Sequence, residues 1–157
     1  MTHHIKSIPE GFHTMTPHLV VKGASQAIEF YKKAFGAQEL GRMPGPDGTS
    51  IMHAHLKIGD SNLFLNDEFP QMGCLGPENG TRSPVAIHLY LEDVDSVFST
   101  ALAAGAEQIM APEEMFWGDR YGKLRDPFGH EWSLATHTRD LTSEEIKKGA
   151  QTAFCTE

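Results

Sequence analysis

The chain is short of basic charge, of cysteine and of long apolar runs, and each shortage excludes something. Thirteen Lys and Arg stand against 21 Asp and Glu, a formal net charge of −8. Nucleic acid and anionic membrane surfaces both need clustered cationic side chains, so neither is an expected partner. No apolar run approaches membrane-spanning length. The start, Met1-Thr2-His3-His4-Ile5-Lys6, lacks the apolar stretch of a signal peptide. There are two cysteines, Cys74 in a Gly/Pro-rich stretch and Cys155 near the carboxyl end. Two free thiols in a cytoplasmic protein are expected, with a disulfide left open. No phosphate-binding glycine loop of the required form occurs, and the glycines read as turns. What remains is 157 residues, 39% hydrophobic and 22% charged, enough for one globular domain with a real core.

What is present is a pattern stated twice. Thr16 to Leu40 returns loosely as Ala86 to Ile109. Each copy opens on an alternating apolar segment containing His-Leu (His18-Leu19 and His88-Leu89). Each passes a short turn into a helix-period segment, then ends on Phe35-Gly36-Ala37 or Ala104-Gly105-Ala106. A duplicated βαβββ unit explains this, and paired units of that kind build a curved sheet around a cavity. The expected fold is therefore α+β, a single domain over 1–157. Module one covers about 16–66, a Pro/Gly/Asn/Ser-rich linker 67–84, module two about 85–136, and a C-terminal helix about 143–153.

Within module one, strands are expected at Thr16–Val21, Gln38–Met43, Ser50–Ile58 and Asn62–Asn66, with a helix over Ala24–Ala34. Within module two, strands are expected at Val85–Leu91, Gln108–Ala111, Tyr121–Arg125 and Glu131–Thr136, with a helix over Val94–Ala104. Thr142-Ser143-Glu144-Glu145 is a capping-box pattern that starts the last helix. Strand parity then sorts side chains. Leu19, Val21, Ile87, Leu89, Leu91, Trp132 and Leu134 should pack on helices. The opposite parity lines the concave side with Thr16, His18, Val20, His53, His55, Ala86, His88, Tyr90, Glu131 and Ser133. That second face is mostly polar, so it is either solvated or lines a cavity, and its aromatic residues favour a cavity.

Four stretches carry a family resemblance. They are Val21-Lys22-Gly23-Ala24 with Ala27-Ile28-Glu29-Phe30-Tyr31 and Phe35-Gly36-Ala37; His53-Ala54 leading to Ile58-Gly59-Asp60; Leu91-Glu92-Asp93-Val94-Asp95; and Phe116-Trp117-Gly118-Asp119-Arg120-Tyr121-Gly122 running into Asp126-Pro127-Phe128-Gly129-His130. Together they resemble the glyoxalase/bleomycin-resistance/extradiol-dioxygenase (vicinal oxygen chelate) superfamily, and within it the phosphonate-operon-like or demethylubiquinone-methyltransferase-like branch. The resemblance implies paired βαβββ modules and a homodimer. It also implies metal ligands, His or Glu, from strands one, four, five and eight in the metal-dependent members. Those places here are Thr16, about Leu63, Ala86 and Ser133. Alkyl and neutral hydroxyl groups do not replace a divalent ion's hydration as imidazole and carboxylate do, so no metal and no other cofactor is expected.

Two groups of residues are candidates for contact with a small-molecule ligand. The first is the concave-face set His18, His53, His55, His88, Tyr90 and Ser133. His18 and His88 occupy equivalent places in the repeat, two residues past the usual ligand position, so a displaced metal site is one reading. The plainer one is polar cavity contact, because a histidine on a strand is more often hydrogen-bonded structure than ligand. The second group is Phe116, Trp117, Arg120 and Tyr121, with Arg125 and Lys123 on the face of Tyr121. These could clamp a planar or anionic ligand by stacking and bidentate hydrogen bonds. Equally, Trp117 could fill core and the charged residues could pair locally. Glu131, or Glu113 and Glu114 in an expected loop, could act as a base if buried. Cys74 as nucleophile is discounted, and no catalytic residue is assigned. The expected function is a small-molecule-binding protein without the usual metal site; the alternative is a metal-dependent lyase, isomerase or dioxygenase using displaced histidines.

Overall fold

The computed structural model describes residues 5–155. Met1 to His4, Thr156 and Glu157 lie outside the described residues. Two compact units meet at Gly76/Pro77, inside the expected linker. The first contains β1 (His18–Val21), α1 (Ala24–Phe35), β2 (Gln38–Pro44), β3 (Ile51–Ile58) and β4 (Ser61–Asp67). The second contains β5 (Ala86–Tyr90), α2 (Val94–Ala103), β6 (Glu107–Glu114), β7 (Asp119–Arg125) and β8 (Glu131–His137), then α3 (Ser143–Phe154). The class is α+β and each unit is βαβββ, as the repeat requires. The strands form two separate four-stranded sheets, ordered β1-β4-β3-β2 and β5-β8-β7-β6, instead of one continuous sheet. In each, only the first pair is parallel. Among the described residues, no helix is long and apolar enough to cross a membrane.

The duplication extends to hydrogen bonds. His18 pairs with Phe64 and Leu19 with Leu65; His88 pairs with Ser133 and Leu89 with Leu134. Two residues beyond each leucine on the partner strand stands the residue that caps the helix. In the first unit Asp67 Oδ1 accepts from the Gly23 and Ala24 amides at 3.0 and 2.8 Å, and Oδ2 from the Ile51 amide at 2.7 Å. In the second, Thr136 Oγ1 accepts from the Val94 amide at 2.9 Å. The first amides of a helix have no partner within it, so an acceptor delivered by a neighbouring strand fixes helix to sheet. Asp93 adds a local cap at Ser96, and α3 carries the expected capping box between Thr142 and Glu145.

Apolar periodicity decides which faces are covered. Ala24, Ala27, Ile28, Tyr31, Ala34 and Phe35 of α1 are all buried, and Phe30 joins them. Gly36 ends the helix in the left-handed region at φ 65°, which glycine adopts without the cost of a Cβ clash. Across the sheet Leu19, Val21, Ala54, Leu56, Leu63 and Leu65 are buried. In the second unit α2 packs on β7 and β8; its Val94, Phe98 and Ala101 are buried, as are Leu124, Trp132 and Leu134 on the strands, while Val97 and Leu102 are only half-buried. Each fully buried aliphatic or aromatic side chain contributes on the order of 1.5–3 kcal/mol. Ile87, Leu89 and Leu91, expected to be core, are half-buried; the first two stand on β5, an edge strand with a neighbour on one side only.

Three boundaries depart from expectation in ways that matter for the site. Strand β1 starts at His18, leaving Thr16 outside it. Strand β6 runs on to Glu114 despite Pro112, because it is an edge strand with two bulges, where a missing amide is tolerated. Glu113 and Glu114 are therefore strand residues opposite Tyr121 and Arg120, not loop acids. Strand β7 starts at Asp119, two residues early, so Arg120 falls under strand alternation.

Candidate functional site

The face of the first sheet away from α1 gathers three of the predicted histidines around one ring. Strand β4 lies between β1 and β3, and Phe64 on it stands 6.0 Å from His18, 4.7 Å from His53 and 5.2 Å from His55, centroid to centroid. Phe12, from the turn at Pro9–Gly11, covers Phe64 and His55 at 5.7 and 5.2 Å. Two asparagines hold the outer imidazoles. Asn66 Oδ1 lies 2.5 Å from His18 Nε2 while its Nδ2 donates to the Asp67 carbonyl. Asn62 Oδ1 lies 2.8 Å from His55 Nε2 while its Nδ2 donates to the Gly11 carbonyl. Because each amide nitrogen already faces a carbonyl, each amide oxygen must accept, and Nε2 of both histidines carries the proton. Partial burial and the neighbouring His18 and His55 push the His53 imidazole below its ordinary pKa of 6.5.

Phe64 stands between His18 and His55, His18 meets His53 edge to face at 6.0 Å, and two Nε2 atoms are committed to hydrogen bonds. Among the described residues, no three His, Cys, Asp or Glu side chains converge to hold a metal. Nor do the places named by the resemblance fit one. Thr16 precedes β1, Leu63 is buried in the helix-facing core at 3% exposure, Ala86 has no donor, and Ser133 Oγ is taken by His88. The β4 positions that do face away from α1 are Asn62, Phe64 and Asn66, an amide–phenyl–amide series with little to offer a divalent ion.

The corresponding face of the second sheet holds a chain of rings. Trp117 meets Tyr121 edge to face at 5.4 Å; Tyr121 lies nearly parallel to His88 at 6.0 Å; His88 meets Tyr90 edge to face at 4.6 Å. Ser133, buried, sits 2.7 Å from His88 Nδ1. Desolvation pushes His88 below 6.5, against the weaker opposing pull of Asp119. Tyr90 remains 65% exposed, so the series is open to solvent at that end.

One buried carboxylate sets the geometry of both ends. Asp119 is 3% exposed and accepts from Tyr90 Oη at 3.1 Å, Trp117 Nε1 at 3.0 Å and His137 Nδ1 at 2.7 Å. His137 Nε2 reaches Asp140 at 2.9 Å. Burial alone would raise the Asp119 pKa; the donors His137, Tyr90 and Trp117 outweigh it and hold the carboxyl below its usual value. Hydrogen bonds to Asp140 and Asp119 raise His137 above 6.5 in return. Asp119 and His137 were not singled out from sequence as ligand-site organisers. The signal available was that both lie on the parity of Tyr121, directly opposite each other across the β7–β8 ladder.

The other predicted residues divide. Arg125 shares the face and the parity of Tyr121, but its guanidinium lies 3.4 Å from both Glu131 and Glu107. Arg120 does not share that face. It alternates to the α2 side, where it grips Asp95 with two bonds of 2.5 and 2.7 Å, so it cannot clamp a ligand stacked on Tyr121. Phe116 turns toward α3, packing on Phe154 at 5.9 Å and against Gly149, where a Cβ would come within 2.9 Å of the Phe116 side chain. Trp117 is not core; the fully buried tryptophan is Trp132, whose Nε1 donates to Asp126 at 2.8 Å. Cys74 receives a hydrogen bond from Asn66 at 3.2 Å, and both cysteines are free.

Residues 11–134 match the model of the Glyoxalase/Bleomycin resistance protein/Dioxygenase superfamily. The chain belongs to that superfamily. An uncharacterized protein of Mycobacterium bovis is 50% identical over 137 residues, spanning 85% of this chain and 89% of its own. An Arabidopsis thaliana gene product of known structure is 28% identical with a TM-score of 0.61, covering 79% of this chain and 98% of the other. A PhnB protein from Bacillus cereus shares the fold at 17% identity, with a TM-score of 0.62 and coverage of 79% and 99%. The superfamily fixes the architecture. Reaction and ligand follow from the residues on the sheet faces.

Proposed function

We propose that this superfamily member binds a small planar molecule on the ring face of its second unit and does so without the family's metal. The observation that carries this reading is the series Trp117–Tyr121–His88–Tyr90, three aromatic side chains and a neutral imidazole whose end groups are tied to one buried carboxylate. Rings fixed before binding lose little freedom when a planar ligand covers them, and one exposed edge leaves a way in. The donor chemistry at Thr16, Leu63, Ala86 and Ser133 supports the metal-free part. The expected symmetric homodimer stays part of the proposal and is checked by sedimentation at micromolar concentration, where a monomer would count against it.

Titration of aromatic compounds against Trp117 fluorescence tests the binding site, because Trp132 is buried and serves as an internal reference. Trp117→Ala should weaken binding by ~1–3 kcal/mol, the usual range for an aromatic anchor, and should leave melting cooperative. Unchanged affinity in a folded variant would move the site elsewhere, with the His18/His53/His55 face the next candidate.

A further inference from the structure

The basic side chains on the ring face are not equally satisfied. His137 lies between Asp119 and Asp140, and Arg125 faces Glu131 and Glu107. Lys123 lies between them on β7, on the same parity as Tyr121 and directly opposite Ser133, which in turn bonds His88. Among the described residues Lys123 forms no ion pair, although the protein carries a net charge of −8 and Lys123 is half-buried. The next cation along the strand, Arg125, also has an unmet donor: its Nε is buried with no hydrogen-bond partner. Glu113, opposite Tyr121 on the edge strand, forms no ion pair with Lys123 either.

We infer that the ligand of this face is an aromatic carboxylate, with its ring on Tyr121 and His88 and its anionic end at Lys123. This rests on the ring-face reading above and adds the chemical class. A flat ligand covering Tyr121 and His88 must also cover the row His88–Ser133–Lys123. It would then strip water from an unpaired ammonium, which is costly unless the ligand returns a negative charge. The spacing suits one molecule. Tyr121 and Lys123 are two residues apart on a strand, about 7 Å, within the span of a one- or two-ring acid and a lysine side chain.

The test is calorimetric titration of the full chain with 2-naphthoate and with 2-naphthamide, which share a ring system and differ in charge. The acid should bind at least about ten-fold more tightly than the amide, the effect of one hydrogen bond between charged partners. Lys123→Met should bring the acid down to the amide's affinity and leave the amide unchanged, while Lys123→Arg should keep most of the preference. Lys123→Gln, polar and similar in length, guards against a folding defect in the methionine variant. If the amide binds as well as the acid, the carboxylate assignment is overturned while the ring face stands. If the preference survives in both Lys123→Met and Lys123→Gln, Lys123 is not the anion's partner. If neither compound binds, and a wider set of planar molecules leaves Trp117 unaffected, the ring face itself is lost.

Discussion

Replacing Asp119 by alanine would remove the one acceptor that ties Trp117, Tyr90 and His137 together. The size of the effect follows from what each donor can recover. Tyr90 is 65% exposed and its hydroxyl regains water, so its loss contributes little. His137 is more than half exposed, and exposed ion pairs are weak. Trp117 Nε1, 3.0 Å from the carboxylate on a half-buried side chain, loses a bond to a charged acceptor worth about 1.5–3 kcal/mol. The deleted carboxylate also takes its own desolvation cost with it. A net loss of about 2 kcal/mol is expected, or a fall of about 4–8 °C in Tm for a chain of this size. Near-ultraviolet circular dichroism should flatten as the rings lose their fixed orientation, and affinity on the ring face should drop with it. The histidine titration should change as well. His137 owes part of its raised pKa to Asp119, so its value by NMR should fall in the variant. The sign of the stability curve follows. In the native protein the His137 contribution is complete below the unfolded value near 6.5 and is lost as pH rises through the raised folded value. The Asp119 contribution is present above the unfolded carboxyl value and is lost as pH falls through the depressed folded one. A variant with Tm, aromatic dichroism and His137 titration all unchanged would refute the hub.

Three further outcomes are expected. Asp67→Ala should destabilise the protein by about 2–4 kcal/mol in urea denaturation, since three amides at the start of α1 and of β3 lose their acceptor; a change under 0.5 kcal/mol would remove the helix-to-sheet cap from the account. The imidazoles of His53 and His88 should titrate below 6.5 by NMR, so the stability they contribute is present above 6.5 and is lost as pH falls through their folded values; titration at or above 6.5 would contradict the packing described for both faces. Protein purified without a histidine tag should hold less than one equivalent of divalent metal after dialysis, and stoichiometric zinc, nickel, manganese or iron would overturn the donor argument.

The repeat made the fold legible because duplicated hydrogen-bond register leaves duplicated sequence. His18 and His88 sit at matched places in their ladders, and the apolar stripe of α1 reads directly from its spacing. The site was less legible, for reasons of parity at strand ends. Placing the start of β7 at Tyr121 left Arg120 in an imagined loop with Trp117, free to join a clamp; a strand that starts at Asp119 sends Arg120 to α2 and Asp95. Taking about Leu63 as the ligand place on β4 put a core residue where a ligand was sought and passed over Phe64, the ring that His18, His53 and His55 all pack against. The Asp119 hub draws Tyr90, Trp117 and His137 from three different segments, 29, 2 and 18 residues away, and only the assembled ladder brings them within bonding distance.

Ligand contact should lie on the ring face of the second unit. The most direct measurement is a map of aromatic and imidazole NMR shifts on adding 2-naphthoate, or whichever planar compound quenches Trp117. The resonances of Trp117, Tyr121, His88 and Tyr90 should move together along one saturation curve, with those of His18, His53 and His55 unmoved. Saturable shifts confined to His18, His53, His55 and Phe64, with the Trp117 to Tyr90 series silent, would contradict it.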